Sequence, residues 1–273
     1  MRPKMPPDHN AEPDSYPSRV FYFPDFPRNP HPIPPMPAIA SRSEIELPSV
    51  SFFGRTLAEY AQFFALKLSE LRGRAVLDVG AGPSSFTAEA CRHGVDAVAV
   101  DPLYGCTADA LGAHVQLDYD RMFTQMREKP HLLRFRSFSS IDAAEVDRRT
   151  AAQRFLTDYA AHFVHGRYLG AALPRLPFLD GAFDLVLCAH LLFLYAKKFD
   201  FTWHLEACRE LVRVSTGEVR IHPLCGPGGR RYPELSRLRA ELLGHGITSE
   251  IVAVDYEFFV GTSSMLVLRK GRS

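Results

Sequence analysis

Residues Ala75–Phe86 read AVLDVGAGPSSF, and this stretch decides the fold. Ala75 to Val79 is an apolar run with strand character, and it feeds directly into the turn Gly80-Ala81-Gly82-Pro83. Ser84 and Ser85 then stand where a helix N-cap is expected. About twenty residues after the turn comes a second apolar strand, Asp96 to Val100, tipped by an acid, Asp101. A strand, a glycine turn, a helix and an acid-tipped strand form a nucleoside-binding half-fold. The glycines let the backbone approach a ligand, and the acid accepts hydrogen bonds from two ribose hydroxyls.

The kind of nucleoside follows from what the turn lacks. A dinucleotide fold usually has a third glycine, which brings the helix N-terminus against a pyrophosphate. Here Ser85 occupies that place, behind Pro83 and Ser84. A ligand without phosphates fits better, and S-adenosyl-L-methionine (SAM) is one. An NAD-type oxidoreductase is disfavoured on the same ground.

LDVGAGPSSF resembles the first motif of class I SAM-dependent methyltransferases. Two further matches follow in the family's order. LPFLDGAFDLVLCAHLLFLY (Leu176–Tyr195) resembles its fourth-strand motif. HLEACRELVRV (His204–Val214), followed by GEVRIHPL, resembles the helix and fifth strand on the substrate side. Together they cover about residues 71–270. The resemblance implies an α/β, three-layer Rossmann-like fold with a seven-stranded, mostly parallel sheet and an antiparallel last strand. The strands are expected near 75–79, 96–100, 167–170, 183–188, 217–223, 249–255 and 264–269. It also implies SAM as cofactor, S-adenosyl-L-homocysteine as product and a small-molecule methyl acceptor.

Carried onto this chain, the resemblance assigns the cofactor to Asp78, Gly80, Ala81, Gly82, Pro83, Asp101, Pro102, Leu103 and Ala189. Asp78 would hold the turn and the cofactor's amino group, and Asp101 its ribose. Arg55 and Tyr60, on a helix expected from Phe52 to Leu71 and ended by Gly73, would face the cofactor mouth, with the arginine on the cofactor's carboxylate. His190 follows the fourth strand, where ligands of open α/β sheets lie, and is the candidate base or hydrogen-bonding group for the acceptor. Tyr195, Trp203, His204 and His222 are further pocket candidates, read first as structural. Cys188 is read as strand packing. The family's adenine-reading acid is missing near Ala172, which leaves Leu103, backbone groups or the insertion to hold the base.

Composition sets limits. A net charge of +1 argues against a general nucleic-acid or acidic-membrane partner. Five scattered cysteines form neither a CxxC pair nor a zinc spacing, in keeping with reduced thiols and a cytoplasmic setting. No signal peptide and no membrane-length apolar run is visible. Residues 1–48 hold most of the prolines and read as a disordered or extended arm. Inside it, Val20-Phe21-Tyr22-Phe23 and Phe26 form an aromatic cluster able to dock on the domain at 49–273. Residues 119–166 read as a helical insertion broken at Pro130. Its many arginines are balanced by acids, as on a solvated face. His162 and His165 lack partners of metal-site type and are read as structural. Asp101-Pro102-Leu103-Tyr104 resembles an amino-methylating motif, but it follows the wrong strand and lacks the second proline. A non-catalytic partner protein that docks through the arm stays open as an alternative, as does RNA methylation through the basic insertion.

Overall fold

Every residue of the Ala75–Val79 strand is buried in the computed structural model, which describes residues 44–271. This strand, β1, pairs in parallel with β2 (Asp96–Asp101) on one side and β4 (Phe183–Ala189) on the other. Outward from these lie β3 (Tyr168–Gly170) beside β2, and β5 (Ser215–His222) beside β4. β7 (Ser264–Lys270) runs antiparallel between β5 and β6 (Ile247–Ala253). The order is β3-β2-β1-β4-β5-β7-β6, so the sheet is the seven-stranded one expected, with its antiparallel last strand. The strand limits differ from the expected ones by one or two residues.

The strands alternate faces, and two cores result. Val76, Leu185 and Leu187 face one core, while Leu77, Val79, Val186 and Cys188 face the other. Phe183 breaks the alternation of β4 because the register with β5 shifts between Phe183 and Leu185. Helices α1 (Leu57–Phe63), α2 (Leu68–Leu71), α3 (Phe86–Arg92), α4 (Ala108–Glu128) and α5 (Ile141–His162) cover the first core. Helices α6 (Phe201–Arg213) and α7 (Leu235–Gly244) cover the second. Among the described residues, no helix is long and apolar enough to cross a membrane.

Several local expectations are corrected. The helix expected over Phe52–Leu71 is instead an extended strap to Thr56, then α1, a break and α2. Thr56 Oγ1 caps α1 by accepting the Glu59 N–H at 3.3 Å. The break falls at Ala65, whose φ of 49° no helix tolerates, and Arg220 Nη1 donates to the freed carbonyls of Phe64 and Ala65. Neither Ser84 nor Ser85 caps α3 with its side chain. Ser85 bonds the Glu89 carboxylate, and Ser84 Oγ accepts from the Arg55 backbone N–H and lies 3.3 Å from the Tyr60 hydroxyl. The strap causes this, because it lies directly on the glycine turn. A Cβ on Gly54 would sit 2.2 Å from the Pro83 carbonyl oxygen.

The segment expected to be a helical insertion is helical on both sides of Pro130, and its first helix begins at Ala108 rather than near 119. Thr107 and Ser140 cap α4 and α5. Its surface charges are paired, Arg127 with Asp142 and Glu145, and Arg149 with Asp120 and Glu145. Such exposed pairs add little stability. Arg148 departs from the solvated reading, since it is wholly buried.

Residues 44–48, assigned to the arm from sequence, pack on the domain. Ile45 is in the core, and Lys129 Nζ and Lys198 Nζ donate to the carbonyls of Glu44 and Pro48. The aromatic cluster at residues 20–26 lies outside the described residues.

Candidate functional site

The strand order reverses between β1 and β4, and ligands of such sheets lie beyond the strand C-termini at that reversal. A cavity of about 310 Å³ opens there. Val79 and Gly80 from β1 and its turn, Asp101 from β2, Ala171 to Leu173 after β3, and Ala189 and His190 from β4 build its floor. The strap, α4 and the β4–α6 connection supply the walls.

The turn is shaped for close approach. Gly80 and Gly82 have φ of 67° and 53°, a conformation that costs glycine nothing. Gly80 and Ala81 donate their N–H groups to the Val100 carbonyl, which ties the turn to β2. A Cβ on Gly80 would come within 2.8 Å of Leu191 Cδ2, so the β4–α6 connection rests on the turn itself.

Asp101 lines the cavity and is 8% exposed. Its Oδ2 accepts the Gly82 N–H at 3.1 Å and its Oδ1 the Leu103 N–H at 3.0 Å. Each oxygen keeps a lone pair for a ligand. Burial pushes its carboxyl up to about 6, against the pull of the two backbone bonds. Pro102, Leu103, Gly82, Ala189 and Arg55 also line the cavity. Arg55 precedes α1 rather than lying within it. Its Nη1 donates to the carbonyls of Phe53 and Gly54, and its buried Nε has no hydrogen-bond partner.

Asp78, Tyr60, Ala81 and Pro83 are not among the residues that line the cavity. The Tyr60 hydroxyl reaches both Asp78 oxygens, at 3.1 and 3.0 Å, and its ring stacks on Phe86 at 4.5 Å. Burial drives the Asp78 carboxyl up to about 8; the Tyr60 bond opposes this and Asp101 adds to it. The sequence reading missed this pairing, which joins α1 to β1 across 18 residues of sequence with no local signature.

Asp78 makes stability depend on pH. A carboxyl raised in the folded state stabilises it below the ordinary value of 3.8, and that contribution is lost as pH rises toward 8. Between pH 6 and 8 the loss from Asp78 is about 2 kcal/mol. Asp78→Asn keeps an acceptor for Tyr60 and removes the titration. Thermal unfolding of the parent should drop more steeply than that of the variant over this range. Parallel profiles would show that Asp78 is already ionised in the folded protein.

His190 lines the cavity with φ of 51°, a strained conformation for a non-glycine residue. Its N–H donates to the His222 carbonyl at 2.6 Å, and its ring lies edge-on to Phe63 and His222. Burial, with Arg55, His222 and Arg148 nearby, pushes the imidazole well below its ordinary value. The ring is therefore neutral, and its buried Nδ1 has no partner.

Of the other candidates, Tyr195 and Trp203 line the cavity. His204 and His222 do not. His204 bridges the carbonyls of Asp200 and Leu192, and His222 stacks on Phe63 with Nε2 2.7 Å from the Thr262 carbonyl. Val50 to Phe53, Met122 and Phe199 also line the cavity, and sequence reasoning missed them. Ser51-Phe52-Phe53-Gly54 carried the one available signal, an aromatic pair beside a glycine. The tyrosine and acid that hold the strap, Tyr195 for the Ser51 N–H and Asp118 for the Phe52 N–H, are far away in sequence.

No protein-family model matches the chain. It is 27% identical over 227 residues to an uncharacterized protein of Methanocaldococcus jannaschii, covering 83% of this chain and 99% of that one. Among solved structures it is similar to magnesium protoporphyrin IX methyltransferase from Synechocystis PCC 6803 with bound SAM, at 13% identity and TM-score 0.38 over 76% of this chain and 74% of that one. It is also similar to the PH0226 protein from Pyrococcus horikoshii OT3, at 13% and 0.42 over 79% and 90%. A third is the Burkholderia thailandensis 1,6-didemethyltoxoflavin-N1-methyltransferase with its substrate and S-adenosylhomocysteine, at 15% and 0.39 over 77% and 76%. At this level of superposition the fold rests on the chain's own sheet order.

Proposed function

We propose that the chain is a SAM-dependent methyltransferase acting on a small-molecule acceptor. The observation that carries this reading is the Asp101 carboxylate, held at the tip of β2 by the Gly82 and Leu103 N–H groups beside a glycine turn that has Ser85 in place of a third glycine.

The residues fit the cofactor's parts. Asp101 has lone pairs for a ribose diol. Pro102, Leu103 and the Ala171–Leu173 segment offer apolar surface for a base, in place of the missing acid near Ala172. Arg55 brings a buried cation to the cavity wall, its Nε without a hydrogen bond and 3.9 Å from Glu59 Oε1, suited to a carboxylate. When bound, the cofactor supplies a methyl group on a sulfonium that needs no further activation. The chain's part is to align the acceptor and keep water out. The neutral His190, fixed by its backbone bond to His222, is placed to hydrogen-bond the acceptor's nucleophile. Its surroundings oppose an imidazolium, so it orients a donor better than it stores a proton.

Calorimetric titration with S-adenosylhomocysteine, beside NAD, tests the reading. Micromolar binding of the first and none of the second is expected. Preference for NAD would replace methyl transfer by hydride transfer, and binding of neither would remove the nucleoside site.

A further inference from the structure

Two charged side chains line the cavity, Asp101 at the tip of β2 and Arg55 on the strap. The side chains that the β4–α6 connection and the start of α6 add to it, Leu191, Leu194, Tyr195, Phe199 and Trp203, carry no charge. Phe199 and Trp203 stack in parallel at 3.8 Å and 10°, and both stay half-buried although they are among the largest apolar side chains nearby.

We infer that the methyl acceptor is a flat aromatic ring system that lies against the Phe199–Trp203 pair with a hydroxyl or N–H directed to His190. This rests on the methyltransferase reading above. An aromatic ring gains stacking or edge contacts with the pair beyond the area it buries, which a saturated ring of the same outline does not. His190 completes the arrangement, since it follows directly on β4 and its buried Nδ1 lacks a partner.

The test is calorimetric titration of the full chain with 2-naphthol and with its saturated counterpart, decahydro-2-naphthol, each with and without S-adenosylhomocysteine. 2-Naphthol should bind about tenfold more tightly than the saturated alcohol. Phe199→Leu keeps bulk and removes the ring, and should weaken 2-naphthol about fivefold without an equal loss of S-adenosylhomocysteine binding. Emission from Trp203, the single tryptophan, reports whether the variant keeps its packing, and Trp203→Leu serves as the second variant. Equal or tighter binding of the saturated alcohol overturns the inference, as does 2-naphthol binding that both variants leave unchanged. S-adenosylhomocysteine binding with no 2-naphthol binding overturns it while the cofactor reading stands. 2-Naphthol binding with no S-adenosylhomocysteine binding removes the acceptor role and the cofactor reading together.

Discussion

Asp101→Ala should cost about 1–3 kcal/mol of S-adenosylhomocysteine binding, the loss of a charge-assisted pair of hydrogen bonds in a buried site. The carboxylate also accepts the N–H groups of Gly82 and Leu103, so its removal frees both the glycine turn and the loop after β2. Asp101→Asn separates the two roles. It keeps one acceptor oxygen but brings an N–H₂ donor toward the Gly82 or Leu103 N–H, so it should bind only slightly better than the alanine variant. The pH dependence follows from the same group. With the free carboxyl raised to about 6 and bound ribose favouring the ionised form, affinity should fall as pH drops through 6 and level off above 7. Calorimetry across pH 5 to 8 reads this directly. An alanine variant that binds as tightly as the parent would take Asp101 out of the site.

What the sequence made legible, and what it did not, divides by the range of the interaction. The strands were readable because each is a short apolar run, and the turn because two glycines must take positive φ within three residues. The Phe52–Leu71 segment was not, because its apolar periodicity is produced by two separate helices. The break at Ala65 depends on Arg220, about 155 residues away. The cavity-lining positions Gly80, Gly82, Asp101 and His190 follow from strand ends, a local property. Asp78 is assigned to the ligand through the motif it belongs to, and Tyr60 through a helix expected to cover the cofactor mouth. The structure turns them toward each other, and that pairing is a tertiary contact with no local signature. The basic insertion shows the same limit. Counting charges predicts a solvated face and is right for Arg127 and Arg149, but nothing in the local sequence distinguishes Arg148 from them.

Arg148→Met should destabilise the fold by about 3–5 kcal/mol, the largest effect expected of any single substitution here, because it leaves a buried carboxylate without its main partner. Arg148 Nη2 and Nε bind the two Glu59 oxygens at 2.7 and 3.2 Å. Tyr256 donates its hydroxyl to the same carboxylate at 2.7 Å, and the guanidinium lies 4.1 Å from the Phe258 ring centroid. The cluster joins α5 of the insertion, α1 beside the strap and the segment between β6 and β7, so it fixes the wall that carries Phe53 and Arg55. Arg55 is the only other cation near Glu59 among the described residues, 3.9 Å away, and is already bonded to two carbonyls. Burial pushes the Glu59 carboxyl up, but Arg148 and Arg55 outweigh it and hold the group below its ordinary 4.5. A depressed carboxyl stabilises the fold above the unfolded value and loses that contribution as pH falls through the folded one. This contribution is therefore constant over pH 6 to 8, where Asp78 titrates, and the two groups can be measured apart. Urea unfolding at pH 7 gives the size of the effect. Glu59→Gln combined with Arg148→Met removes the stranded charge and should recover part of the loss. A single-variant loss below about 1 kcal/mol would mean that Arg55 swings over to replace Arg148. In that case S-adenosylhomocysteine binding should weaken even though the fold is kept, because the cation proposed for the cofactor's carboxylate would have left the cavity wall.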